Sequence, residues 1–104
     1  MIAHIVTITF TPETPTEHIR RSWEHLQSLQ GVVPTLRHIV GGTDLAFDPA
    51  NAQLAFMCFF DDQAGWADYQ QHPAHQAFAA EYIRPHLVSR CATQFEWTGP
   101  LPQQ

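Results

Sequence analysis

From residue 2 to residue 10 the chain alternates, with Ile2, His4, Val6, Ile8 and Phe10 on one side and Ala3, Ile5, Thr7 and Thr9 on the other. That pattern predicts a strand with one strongly apolar face. FTPETPTE breaks the alternation and sets up a helix. Thr14 is placed to cap it, Pro15 suits its first position, and Glu17 completes a T-x-x-E capping box. Ile19, Trp23, Leu26 and Leu29 then recur at helical spacing as one apolar stripe, and Gly31 is suited to end the helix. Residues 33–42, VPTLRHIVGG, predict a second strand closed by Gly41-Gly42, followed by a loop around Pro49. Residues 54–60 are the most apolar run and predict a third strand. Asp61 or Asp62 caps a short helix carrying Trp66 and Tyr69, which must end before Pro73. His72 falls at the cap of a further helix, with Phe78, Ala79, Tyr82 and Ile83 as its buried stripe and Pro85 as its stop. Residues 89–97 predict a fourth strand.

The order β-α-β-β-α-α-β predicts an α+β, ferredoxin-like domain over residues 1–97: a four-stranded antiparallel sheet with helices on one face. Residues 98–104 read as a Pro-rich tail with no core of its own. If the helices cover Val6, Ile8, Phe56 and Phe60, the other face shows Ile5, Thr7, Ala55, Met57 and Phe59. A bare apolar face of that kind predicts a homodimer, sheet against sheet.

Composition narrows the function. The 104 residues are 44% hydrophobic, enough for one core, and the net charge of −5 argues against nucleic acid or an anionic membrane as partner. All five cations are arginines, so Schiff-base lysines and P-loops are excluded. The start has neither a signal-peptide pattern nor a membrane span. Cys58 and Cys91 both fall in strands and read as reduced core residues, which predicts a cytoplasmic protein.

The candidate chemistry centres on YQQHPAH, residues 69–75. A helix break before Pro73 puts His75 in the first turn of the next helix, where backbone N–H dipoles disfavour imidazolium and keep it able to accept a proton. Tyr69, in the last turn of the preceding helix, is placed to donate a hydrogen bond to a carbonyl or enolate oxygen. The same residues also read structurally, with His72 and His75 as helix caps and Tyr69 as a core-edge aromatic. His4, on the apolar face of the first strand, either lines a cavity or is simply hydrogen-bonded in place. His72 and His75 lack a partner at metal-ligand spacing, so no metal site is expected. No G-x-S-x-G elbow and no G-x-G-x-x-G is present.

Taken together, MIAHIVTITF, L-x-x-L-x-G-V-V-P-T-L, YQQHPAHQAF and QFEW resemble the stress-responsive α/β barrel domain family, within the dimeric α+β barrel group. The resemblance runs from Ile2 to Trp97, with HPAH as its most specific element. It implies a ferredoxin-like fold whose sheets pair into a barrel. Most members have no established activity, but a plant member cyclises a linear polyketide without metal or organic cofactor. By motif position its catalytic tyrosine and histidine fall on Tyr69 and His75, its first-strand histidine on His4, and its pocket-facing apolar residues on Val6 and Ile8. Phe56, on the helix-covered face, joins these as an expected pocket residue. The aspartate that orients the histidine in that enzyme is replaced by Gln94, and a second histidine by Leu54. Ser22 and Gln27 stand where it has apolar groups.

These features predict a cofactor-independent enzyme that moves a proton next to the carbonyl of a small apolar compound, as a cyclase, isomerase or lyase does. His75 would be base and Tyr69 donor, with His4, Val6, Ile8, Phe56 and Gln94 at the substrate. Two alternatives stand beside it: a non-catalytic dimeric module that binds a small ligand or a partner protein, and a cofactorless monooxygenase.

Overall fold

The computed structural model describes residues 1–103. The elements are β1 (Ile2–Phe10), α1 (Thr16–Ser28), β2 (His38–Thr43), β3 (Leu54–Phe60), α2 (Gln63–Gln71), α3 (Pro73–Phe78) and β4 (Leu87–Glu96). A π-helical turn at Ala79–Ile83 and a 3₁₀ turn at Arg84–His86 carry the chain from α3 into β4. The strands form one antiparallel sheet in the order β2-β3-β1-β4. Helices lie on one face, as expected of a ferredoxin-like fold. Val6, Ile8, Phe10, Phe56, Cys58 and Phe60 from that face pack with Leu26, Leu29, Phe78 and Ile83 into one core.

The junction between α2 and α3 follows from local chemistry. Asp62 caps α2, its Oδ1 accepting the Gly65 N–H at 2.9 Å. His72 is extended (φ −64°, ψ 134°), as the residue before a proline prefers, and its Nδ1 accepts the Ala74 N–H at 3.0 Å to cap α3.

Five expectations are corrected. Thr14 and Glu17 form no capping box: Pro15 occupies the cap position, the Thr14 hydroxyl bonds that of Thr11 at 2.7 Å, and Glu17 pairs with Arg20 and Arg21. β2 starts only at His38, because residues 33–36 turn inward to bury Val33 and Leu36. Gly41-Gly42 lies inside β2 rather than closing it. A Cβ on Gly41 would sit 2.3 Å from the Ala55 carbonyl oxygen, so the strands meet too closely there for any side chain. Cys91 is exposed on the uncovered face, while Cys58 is buried; both are free thiols. Phe59, expected to be bare, is fully buried, because the tail folds back over it. Trp97 stacks edge-on at 5.2 Å, and the Pro102 carbonyl oxygen lies 2.6 Å from His38 Nε2.

The helices cover β1 and β3 but not β4, every residue of which is exposed. Register with β1 (His4 opposite Gln94, Val6 opposite Ala92, Ile8 opposite Arg90) sets Arg90, Ala92 and Gln94 on the helix side of the sheet. A cleft is therefore left between the inner face of β4 and the α2–α3 corner.

Candidate active site

The cleft is a cavity of about 350 Å³. Its floor is His4 and Ile8 of β1 and Phe56 of β3, and Arg90 and Gln94 of β4 form one wall. Trp66, Tyr69 and His75 stand opposite, with Ala79, Ile83 and Arg84 contributed by the turns after α3. Of the residues singled out from sequence, Tyr69, His75, His4, Ile8, Phe56 and Gln94 all meet here. Val6 does not: it is buried in the core and lines no part of the cavity.

His75 and Tyr69 are in contact, with ring centroids 4.3 Å apart. His75 Nδ1 lies 3.3 Å from the Gln70 carbonyl oxygen. A carbonyl only accepts, so Nδ1 carries the proton and the lone pair is on Nε2. Burial lowers the His75 pKa first, and the positive charges of Arg90 and Arg84 lower it further, against the Gln70 bond, which raises it. The imidazole is neutral near pH 7, held so first by desolvation and then by the two arginines.

Gln94 does not orient His75. Its Nε2 lies 2.8 Å from Nδ1 of His4, the residue facing it across the β1–β4 pairing. An amide nitrogen donates, so His4 Nδ1 accepts and Nε2–H is the ring's donor. His4 is 2% exposed, and burial, aided by Arg90 and His75, lowers its pKa to about 4. The two histidines are thus neutral and of opposite tautomer, one exposing a lone pair and the other a proton.

Tyr69 is buried against Cys58, whose Sγ is 3.9 Å from the phenol oxygen. Burial pushes the phenol well above its ordinary range, so it stays protonated, and the Cys58 thiol is pushed up to about 12. The Trp66 indole N–H is buried without a hydrogen-bond partner among the described residues. No sequence spacing marks that orphan donor, because periodicity does not report which hydrogen-bond partners a buried side chain finds. Among the described residues no group of three or more His, Cys, Asp or Glu is placed to hold a metal ion, and no helix is long and apolar enough to cross a membrane.

The order of elements is that of a known family. The chain belongs to the stress-responsive A/B barrel domain family, whose model matches residues 2–97. It is similar to a dimeric ferredoxin-like protein of unknown function from Thermobifida fusca YX, with 29% identity and a TM-score of 0.82, covering 92% of this chain and 90% of that one. A hydroxynitrile lyase from Passiflora edulis superimposes with a TM-score of 0.79 at 21% identity, covering 97% and 96% of the two chains. An antibiotic biosynthesis monooxygenase does so with a TM-score of 0.77 at 14% identity, covering 95% and 100%. The last two likenesses are of fold. No curated protein matches the sequence.

Proposed function

We propose that the protein is a cofactor-independent enzyme that transfers a proton at the carbon next to the carbonyl of a small compound, in the manner of a cyclase, isomerase or lyase. The observation that carries this reading is the pairing of His75 and Tyr69 in one cavity, beside a second histidine of opposite tautomer. His75 Nε2 takes the proton, the C–H bonding pair moves into the enolate, and the charge collects on the carbonyl oxygen. The Tyr69 hydroxyl and His4 Nε2–H are the donors available to that oxygen. Returning the proton from His75 to carbon closes the cycle; alternatively the enolate carbon bonds to a second carbonyl in the same molecule, whose C=O pair moves to oxygen, and His75 passes its proton to that alkoxide. All of these groups are neutral at rest, so the site is ready for an uncharged carbonyl without a prior protonation step.

The uncovered sheet face supports a two-fold dimer as the working form. It presents Ile5 and Phe95 as exposed apolar groups on neighbouring strands, and the Thermobifida relative is described as dimeric. The hydroxynitrile lyase supports the reading to this extent, that the fold accommodates a lyase in another organism.

A binding screen of small ketones, lactones and polyketide-like compounds against wild type and His75→Ala tests the proposal. Ligands whose binding shifts the His75 ring resonances, and whose binding weakens in the variant, support it. Ligands that bind equally to both, away from His75, leave a binding module instead.

A further inference from the structure

The five arginines divide unequally. Arg20 and Arg21 pair with Glu17 and Glu24 along α1, and Arg37 pairs with Asp61. Among the described residues Arg84 and Arg90 have no carboxylate partner, and both line the cavity. Arg84 reaches only the neutral Gln76 side chain, at 3.4 Å. The chain carries ten acids and a net charge of −5, yet none of the acids lines this cavity. The protein has matched its surface cations and left two unmatched ones where a ligand would sit.

Unmatched guanidinium groups beside an apolar floor of Ile8, Phe56 and Phe78 favour a ligand that brings its own negative charge. The planar fork of an arginine fits a carboxylate, and a volume of about 350 Å³ is at the small end of ligand sites. Resting on the proton-transfer reading above, we propose that the substrate is a small oxo acid, its carboxylate held by Arg90 and Arg84 and its carbonyl presented to His75.

This arrangement couples binding to basicity. Arg90 and Arg84 act on His75 through their charge and make its imidazolium harder to form. A carboxylate bound between them cancels that field, so the base strengthens when the correct ligand is in place. A neutral ketone lacks this effect.

The test is an amide and histidine-ring NMR titration of the full chain with levulinate, with its uncharged methyl ester, and with inorganic phosphate. Levulinate is expected to shift resonances around residues 70–76 and 90–94, to bind at least tenfold more tightly than the ester, and to raise the His75 pKa. Arg90→Gln and Arg84→Gln are each expected to reduce that preference, while Arg20→Gln leaves it intact. Equal binding of acid and ester, or no binding of either at the cavity, overturns the oxo-acid assignment. So does a preference that survives both arginine substitutions, or phosphate matching levulinate. Equal binding leaves the proton-transfer reading standing. Preferential binding of levulinate supports the anion site, and absence of exchange next to the carbonyl in every oxo acid that binds there removes the proton-transfer reading instead.

Discussion

Gln94 and His4 face each other across the β1–β4 pairing, and the 2.8 Å bond from the Gln94 amide to His4 Nδ1 turns the imidazole's remaining proton away from β4. A neutral amide can set this tautomer without stabilising imidazolium. A carboxylate in the same place would do the opposite, accepting from Nδ1–H and favouring the charged ring. Gln94→Glu is therefore expected to raise the His4 pKa by at least one unit from about 4, seen by titration of its ring protons. It should also lower activity, because Nε2 of the neutral ring would then accept rather than donate. An unchanged His4 titration would show that Gln94 does not control the ring.

Acid should destabilise the fold through the same residue. The folded His4 pKa is about 4, against an ordinary value of 6.5. The unfolded chain thus binds a proton that the folded chain refuses between those values. Stability is full above about pH 6.5 and falls as pH drops toward 4, by on the order of 3 kcal/mol. His75, lowered in the same direction, adds to the loss. Urea unfolding at pH 7 and pH 4.5 measures it, and His4→Gln is expected to show a smaller drop between the two pH values than wild type.

Much of this was legible in the sequence, for identifiable reasons. Alternation and helical spacing report on faces, so β1, β3 and the α2–α3 break at Pro73 could be read directly, together with the meeting of Tyr69 and His75. What periodicity does not report is contact between distant segments. Phe59 alternates like an open-face residue but is covered by Trp97 from the far end of the chain. Cys91 sits in a strand at the sheet edge, on the face that no helix covers, and every residue of that strand is exposed. Gln94 was aligned with a group that orients His75, yet register places it opposite His4. Arg84 and Arg90 carried no local signal, since their significance lies in partners they lack.

Gly41 gives a packing test independent of the site. A methyl group there would lie 2.3 Å from the Ala55 carbonyl oxygen and 2.6 Å from Phe56 Cα, both backbone atoms that cannot swing aside. Gly41→Ala should cost about 2 kcal/mol or more through forced separation of β2 from β3. Gly42→Ala, with nothing within 4 Å, should cost far less. Comparable midpoints in thermal unfolding for the two variants would contradict this close approach.

The two thiols test the proposed dimer. Cys58 is buried, with its thiol pushed up to about 12, and should react with a disulfide reagent only after unfolding. Cys91 is exposed on the open face, so a sheet-to-sheet dimer should shield it. Its reaction rate is expected to rise several-fold as the protein is diluted through its dissociation range. A rate independent of concentration, with sedimentation showing a dimer, would place the interface elsewhere.

The most direct measurement is deuterium uptake, in D₂O near pH 7.5, at the carbon next to the carbonyl of a panel of small ketones and oxo acids. Wild type is expected to accelerate uptake for at least one compound, with the rate falling at acid pH as His75 takes up a proton. His75→Ala should lower that rate by about 10²-fold or more while the chain remains folded. Uptake that is no faster than in buffer across the panel, or equal in wild type and His75→Ala, would contradict a proton-transfer site in this cavity.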